Sequence, residues 1–253
     1  MDVIVIAGQS NAVGCTNIST LGDEWISDQF PNGMLYQEGN FDPYTYGCWI
    51  QGIHIGMGCG SGQFGLEYGI ASVLEKNDTP YAILRYALGG SNLFWDWMPR
   101  TKWNVEPQFI AHPGYSYRMW SETVTRGLCR LLQLGYLPNI RALVWMQGES
   151  DANQTAAIAE AYENHLRDLF YCMRAELRAP DLPILIGEIA TNAPLCPWSD
   201  RVREAQRRIA DESSNNYLIT TGDLPIGADG LHFDGAEMLV LGKRFGMKLS
   251  ELR

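Results

Sequence analysis

The sequence predicts an α/β protein: a three-layer α/β/α sandwich with a five-stranded, mostly parallel sheet. Short apolar runs alternate along the chain with stretches of helical periodicity. Such runs are typical of parallel strands that are covered by helices on both faces. No internal repeat, low-complexity tract or linker divides the 253 residues, so we expect a single domain over residues 1–253.

Each predicted element rests on its own stretch of sequence. The predicted strands are residues 2–7, 81–87, 140–146, 183–188 and 217–220. The predicted helices are residues 66–76, 116–134, 155–178, 199–213 and 235–251. Two stretches rich in Gly, Pro, Asn, Trp and Tyr, residues 15–64 and 89–114, break the alternation. We expect them to be functional loops or to contain small local elements.

Charge and hydropathy argue against nucleic-acid and membrane partners. The formal net charge is −10, and an acidic chain repels phosphate backbones. No apolar run reaches the ~18 residues that a membrane-spanning helix needs. Residues 1–7 lack the basic segment of a signal peptide and are expected to form a core strand. The pattern leaves localisation open between the cytoplasm and delivery by another route, such as a phage particle, and it leaves the oligomeric state open.

The six cysteines do not predict a metal site, because no CxxC motif and no zinc-like Cys/His spacing occurs. Cys129 and Cys172 lie in helix-like segments and are expected to be buried apolar residues. Cys48 and Cys59 could pair if the protein meets an oxidising compartment.

Polar and glycine residues follow every predicted strand. They occupy residues 8–11, 89–92, 147–151, 188 and 222–232, in strand order. Open parallel sheets bind ligands beyond the carboxyl ends of their strands. We therefore expect the functional site at this edge of the sheet.

The residue types at this edge predict nucleophilic catalysis. A serine hydroxyl such as that of Ser10 becomes a nucleophile when a base takes its proton, and histidine is the natural base. His232 lies at a strand end, three residues after Asp229, and an aspartate so placed can hold Nδ1–H and stabilise the imidazolium. His165 lies in a predicted helix and is expected to be structural. The remaining two histidines, His54 and His112, lie in the long loops and could contact substrate.

Three groups could stabilise an oxyanion. The Ser10 N–H lies at a strand-to-helix junction, where helix-terminal amides are free. Gly90 has no side chain and can bring its N–H close to a ligand. Gln147 supplies a side-chain amide at the end of the third predicted strand.

Five motifs together resemble SGNH hydrolases, in the expected order over residues 8–244. They are GQSNAVG at 8–14, FGLEYGIA at 64–71, ALGGSNLFWDW at 87–97, WMQGESDA at 145–152 and DGLHFDGAEMLVLGKR at 229–244. The GQSN and QGExD forms are similar to the sialate O-acetylesterase-like branch and to carbohydrate esterase family 6, which contains acetylxylan esterases. The resemblance implies a flavodoxin-like sandwich and an enzyme without metal or cofactor. Leu66 stands where proline is usual.

The resemblance also assigns residues. It implies Ser10 as nucleophile, His232 as general base and Asp229 as the third triad member, with an oxyanion hole made by Ser10, Gly90 and Gln147. Asp223 and Asp234 lie nearby and leave the third position open, as does a Ser-His pair assisted by a backbone carbonyl. The residues predicted to bind substrate are Gln9, Asn11, Ser91, Trp95, Trp97, His112 and Glu149.

Several of these roles have structural alternatives. Trp95 and Trp97 could stack on sugar rings, or they could clamp their loop onto the core. For Glu149 and Asp151 we favour orientation of the Gln147 loop over a chemical role. No role is predicted for most of residues 98–118.

The sequence thus predicts a serine esterase that removes O-acetyl groups from a carbohydrate through an acyl-enzyme. A lipid or thioester acyl hydrolase of the same fold is an alternative, although loops rich in Trp, Tyr, Asn and Gly favour a polar ligand. A carbohydrate-binding module without catalysis is a third hypothesis. The presence of Ser, Asp, His and Gln argues against it.

Overall fold

The computed structural model describes residues 1–26, 29–39, 47–99, 113–191 and 194–252. The strands are β1 Asp2–Gly8, β2 Thr16–Asn17, β3 Gln29–Gly39, β4 Trp49–His54, β5 Gln63–Phe64, β6 Tyr81–Ala87, β7 Asn139–Met146, β8 Ile184–Gly187 and β9 Asn216–Ile219. The α-helices are α1 Ser10–Val13, α2 Asp23–Ile26, α3 Leu66–Leu74, α4 Tyr115–Gln133, α5 Glu149–Ala152, α6 Ala156–Glu176, α7 Ser199–Asp211 and α8 Gly235–Glu251.

The main sheet has the strand order β4-β3-β6-β1-β7-β8-β9. All its neighbouring strands are parallel except β3 and β4, which pair antiparallel. The five predicted strands are adjacent in the order β6-β1-β7-β8-β9. Numbered along the chain, this is the flavodoxin-like order 2-1-3-4-5, so the predicted fold class is confirmed.

The strand count is a correction, because the main sheet has seven strands and not five. The two additional strands, β3 and β4, lie in the stretch 15–64, which we expected to be a functional loop or to contain small local elements. Pro31, Asn32 and Gly33 interrupt the apolar pattern of β3 near its start. Its parallel pairing with β6 begins at Gly33 and runs to Gly39. These turn-forming residues therefore kept the sequence pattern from predicting β3, whose buried part lies beyond them.

Helices cover both faces of the sheet. Side chains of β1 alternate between two cores: Val3 and Val5 belong to one, Ile4 and Ile6 to the other. The first core is completed by side chains of α4, α6 and α7. The second is completed by α3 and α8. This alternation explains why β1 reads as a continuous apolar run in the sequence.

A buried ion pair fixes the region between β4 and α3 to the sheet. Arg85 of β6 pairs with Glu67 of α3, and both side chains are fully buried. Arg85 also donates to Gln37 of β3 and to the carbonyl of Met57. Glu67 accepts a hydrogen bond from Gly65 N at 2.9 Å, which fixes the start of α3.

The six cysteines all lie within the described residues and form no disulfide there, so Cys48 and Cys59 are not paired. Cys129 is exposed and Cys172 is half-buried, so our expectation that both are buried was wrong. In α4 the buried positions include Trp120, Val124 and Leu131, and Cys129 lies off that face. Within the described part of the chain, no helix is long and apolar enough to cross a membrane.

Candidate active site

A cleft of about 450 Å³ lies beyond the carboxyl ends of the central strands. Its lining comes from segments that follow β1, β6 and β7 and from the segment before α8: Gln9, Ser10, Cys15, Gly90, Glu149, Ser150, Asn153, Gln154, Leu231 and His232. The volume lies in the range of small-molecule sites, which span roughly 300–1,000 Å³. The sheet edge that the sequence predicted is thus the edge that carries the cleft.

Ser10 is the first residue of α1, directly after β1. Its residue surface is 6% exposed. Gln9 caps the helix, and its carbonyl accepts from Ala12 N and Val13 N at 2.8 Å. Amides in the first turn of a helix have no partner within the helix, so the Ser10 N–H is free of intrahelical bonding beside the cleft.

His232 is held in one tautomer by Asp229. The Nδ1 atom of His232 lies 2.6 Å from Oδ2 of Asp229. Because an ionised carboxylate only accepts hydrogen bonds, Nδ1 carries the proton in the neutral imidazole, and the lone pair lies on Nε2 in that tautomer. Nε2 is buried and has no hydrogen-bond partner among the described residues. A histidine in this state has a free nitrogen that can accept a proton.

The surroundings of Asp229 favour its ionised form. Its Oδ1 accepts from the backbone N–H groups of Leu231 at 2.8 Å and His232 at 2.9 Å. Burial acts to raise the pKa of Asp229, but these hydrogen bonds and the His232 ring outweigh it, and the pKa lies below its usual value. Of the three nearby aspartates, Asp223 pairs with Arg244 instead, and Asp234 is the N-cap residue of α8.

The His232 segment is fastened to the chain that follows Ser10. Thr16 Oγ1 donates to the carbonyl of Phe233 at 2.9 Å. Gly235 N donates to Thr20 Oγ1 at 2.7 Å. These bonds join residues more than 200 positions apart in sequence, and they place His232 and Ser10 in one cleft.

Gly90 and Gln147, the other two predicted oxyanion donors, differ in placement. Gly90 lines the cleft with φ at 71°, a conformation that favours glycine. Gln147 is fully buried and is not among the lining residues. Its Nε2 atom donates to Asp151 at 2.6 Å and lies 3.2 Å from both Gln9 Oε1 and the Ser91 carbonyl. Its amide protons therefore point at protein acceptors and not into the cleft.

Asp151 fastens the loop after β6 to the start of α5. It accepts hydrogen bonds from Leu93 N at 2.8 Å, Phe94 N at 3.2 Å and Gln147 Nε2. Burial raises the pKa of Asp151 to about 6. These contacts agree with the orienting role that we favoured for this residue.

Several predicted substrate contacts are buried and already have partners within the protein. Trp97 is fully buried, packs against Trp145 with ring centroids 5.0 Å apart and donates to Ser91 Oγ at 2.9 Å. It is therefore a core residue that clamps its loop. Ser91 Oγ also donates to the Leu88 carbonyl at 2.7 Å, so its hydroxyl is engaged. Asn11 is buried and bonded within the protein.

The remaining predicted contacts divide into three groups. Gln9 and Glu149 line the cleft. Trp95 is half-buried against Phe94, outside the described lining. His112 lies outside the described residues.

The sequence analysis missed three lining residues: Cys15, Asn153 and Gln154. Ser150 and Leu231 lie within the predicted stretches 147–151 and 222–232 but were given no role. Asn153 and Gln154 also follow β7, so the strand-end rule could have included them. Glu149 and His232 are the ionisable side chains in the described lining apart from Cys15. In the part of the chain that the structure describes, no group of three or more His, Cys, Asp and Glu side chains could hold a metal ion.

The sheet and the cleft beyond the carboxyl ends of its strands agree with the SGNH-type fold that the motifs predicted. The chain matches a family model described as "Carbohydrate esterase, sialic acid-specific acetylesterase" over residues 1–251, and it belongs to that family. This confirms the resemblance drawn from the motifs and makes the chain a member of a carbohydrate acetylesterase family whose enzymes act on esters.

Individual relatives agree with this placement. A probable carbohydrate esterase from Arabidopsis thaliana is 35% identical over 103 residues, which are 41% of this chain and 37% of the plant protein's length. An Arabidopsis thaliana crystal structure has a TM-score of 0.73 at 20% identity, covering 99% of this chain and 98% of that one. A carbohydrate acetylesterase from Xanthomonas citri has a TM-score of 0.68 at 16% identity, covering 99% of this chain and 56% of that one. At these identities the two structures support the fold alone.

Proposed function

We propose that the protein is a serine esterase that removes O-acetyl groups from a carbohydrate through an acyl-enzyme. The observation that carries the proposal is the state of His232. Its Nδ1 atom is bonded to Asp229, while its Nε2 atom is buried, lacks a partner among the described residues and belongs to the same cleft as Ser10. A base with one free nitrogen beside a serine is what activation of a hydroxyl requires.

In the first step, Ser10 Oγ attacks the acetyl carbonyl carbon while its proton passes to His232 Nε2. The imidazolium that forms is stabilised by the Asp229 carboxylate. The carbonyl oxygen becomes an oxyanion, for which the N–H groups of Ser10 and Gly90 are the proposed donors. Gln147 acts indirectly, since its amide holds Gln9 and Asp151.

In the second step, the bond between the carbonyl carbon and the sugar oxygen breaks. The Nε2 proton of His232 passes to that oxygen, and the free sugar hydroxyl leaves. Water then enters, gives a proton to His232 and attacks the acetyl group on Ser10. Return of that proton to Ser10 Oγ releases acetate and restores the enzyme.

The cleft lining favours a polar substrate. Glu149 is buried, and its Oε2 atom has no hydrogen-bond partner among the described residues. A buried acceptor without a partner is costly, and a sugar hydroxyl would satisfy it. Gln9, Ser150, Asn153 and Gln154 add amide and hydroxyl groups around it. We therefore propose Glu149 and Gln9 as sugar contacts.

Hydrolysis of 4-nitrophenyl acetate near neutral pH tests the chemistry. We expect Ser10→Ala and His232→Ala each to lower kcat by several orders of magnitude, roughly 10³-fold or more. Ser214→Ala is the matched control, because Ser214 is an exposed turn residue that is not among the residues lining the cleft. Activity in EDTA should equal activity without it. Turnover that does not change in Ser10→Ala would overturn the proposal.

A series of nitrophenyl esters of increasing acyl length tests the substrate class. We expect the acetate ester to be the best substrate, because in the proposed reaction the acyl group is only an acetyl group and the larger part of the ligand, the sugar, leaves. Preference for chains longer than butyryl would favour a lipid or thioester hydrolase. Sugar binding without any ester turnover would favour a binding module.

A further inference from the structure

The side chain of Asn11 touches the backbone on both sides of His232. Asn11 Nδ2 donates to the carbonyl of Leu231 at 3.2 Å. Phe233 N donates to Asn11 Oδ1 at 3.4 Å. Asn11 is 1% exposed and directly follows Ser10 in α1. One amide group therefore connects the proposed nucleophile's helix to the two residues that flank the proposed base.

Glu149 fixes the orientation of that amide. Its Oε1 atom accepts from Asn11 Nδ2 at 2.7 Å, the shortest of the three contacts. Because Oε1 accepts, the Nδ2 end of Asn11 must face Glu149 and the Oδ1 end must face Phe233 N. If the amide turned over, its oxygen would face both Oε1 and the Leu231 carbonyl, and three acceptors would then meet without a proton between them.

We infer that Glu149 and Asn11 form a positioning pair for His232, in which the carboxylate sets the Asn11 amide and the amide sets the backbone at residues 231 and 233. The inference rests on the proposed function in so far as His232 is the base. Glu149 thus acts on the base through Oε1 and Asn11, while its other oxygen, Oε2, is buried and has no hydrogen-bond partner among the described residues. Displacement of a catalytic group by about 1 Å can cost roughly 10²-fold in rate.

Kinetics of Glu149→Ala, Glu149→Gln and Asn11→Ala test the pair. On 4-nitrophenyl acetate, which carries no sugar for Glu149 to bind, we expect Glu149→Ala and Asn11→Ala to lower kcat by about 10–100-fold with little change in KM. Glu149→Gln should recover most of the kcat lost in Glu149→Ala, because its amide oxygen can still accept from Asn11. Glu160→Ala is the control, since Glu160 is an exposed residue of α6. Glu149→Ala and Glu149→Gln variants that both raise KM and leave kcat unchanged would contradict the inference.

A spectroscopic readout separates this inference from the proposed function. In protein labelled with ¹³C-histidine, the His232 ring resonance is assigned by its loss in His232→Ala. We expect Glu149→Ala and Asn11→Ala to move or broaden it at fixed pH, and Glu149→Gln to restore its wild-type position. A resonance that is identical in all variants would overturn the inference, whether or not the protein hydrolyses esters. Because Glu149→Ala and Glu149→Gln both remove the charge and leave the Asn11 side chain in place, the comparison of these two variants decides the question even if Asn11→Ala fails to fold.

Discussion

Three buried side chains from two strand ends are linked by hydrogen bonds beneath the cleft. Gln9 follows β1, and Gln147 and Asp151 follow β7. Gln9 Oε1 accepts from Ser150 N at 3.1 Å and Gly148 N at 3.3 Å, while Gln147 Nε2 reaches both Gln9 and Asp151. The network joins the Ser10 segment to α5. Its members support the geometry of the proposed site without facing the ligand, except for Gln9.

Gln147→Ala distinguishes support from direct catalysis. A direct oxyanion donor would cost roughly 10²–10³ in kcat on removal. The hydrogen bonds instead predict a smaller loss of kcat, together with a fall of about 1–3 kcal/mol in the free energy of unfolding, because buried Asp151 Oδ2 loses one of its two donors and keeps only Leu93 N. Steady-state kinetics and urea unfolding measure the two effects, with the exposed Gln133→Ala as control. A large kcat loss at unchanged stability would restore Gln147 to the oxyanion hole.

The raised pKa of Asp151 predicts that the stability of the fold depends on pH. Burial disfavours the charged form of Asp151 and raises its pKa from the usual 3.8 to about 6 in the folded protein. Between these pH values the native state binds more protons than the unfolded state, so this residue's contribution to stability falls as pH rises through the window. The loss approaches about 3 kcal/mol above pH 6.

Urea unfolding of wild type and Asp151→Asn at several pH values checks the sign. The difference in unfolding free energy, wild type minus variant, should decrease as pH rises from about 4 to about 6 and then level off. A constant difference would mean that Asp151 titrates alike in both states, and an increasing one would mean that its folded pKa is depressed.

At the scale of elements, close packing of α3 on α8 supports the side of the sheet beneath the His232 segment. A Cβ atom on Gly69 would lie 2.7 Å from the Gly242 Cα and 2.7 Å from the Leu239 carbonyl oxygen. Both neighbours are backbone atoms, so the helices themselves would have to separate. Since α8 begins three residues after His232, its position also bears on the site.

Gly69→Ala is expected to destabilise the protein. Alanine gains up to about 1 kcal/mol in helix propensity over glycine, but overpacking costs about 1–3 kcal/mol, and backbone neighbours cannot yield as side chains can. We expect a lower melting temperature in thermal unfolding. Gly222→Ala is the control, because its Cβ would meet no atom within 4 Å. A melting temperature equal to or above that of wild type would show that α3 and α8 can part without cost.

Periodicity predicted the helices well but missed β3 and β4. The predicted helices 66–76 and 235–251 correspond to α3 and α8 with ends that differ by no more than two residues. β3 was missed because turn-forming residues interrupt it, and the edge strand β4 because it buries less apolar surface. Tertiary pairing with β6 decides the conformation of β3, and a local pattern does not contain that information.

For the whole molecule, strand order determines which predicted residues meet. β1 lies between β6 and β7, so the segments after these three strands converge at one edge. That rule placed Ser10, Gly90 and His232 at the cleft from sequence alone. It could not place Trp97 or Gln147, because both follow strands of that edge but point into the core. Side-chain direction depends on packing, which strand-end position does not specify.

The most direct test of the account is to look for the acyl-enzyme on Ser10. Wild-type protein is mixed with 4-nitrophenyl acetate, quenched in acid within the first turnovers and analysed by intact and peptide mass spectrometry. We predict one acetyl group on the peptide that contains Ser10, absent from Ser10→Ala and present in Ser214→Ala. Rapid turnover with no acetyl group at Ser10, or with the group on another side chain, would contradict the proposed mechanism.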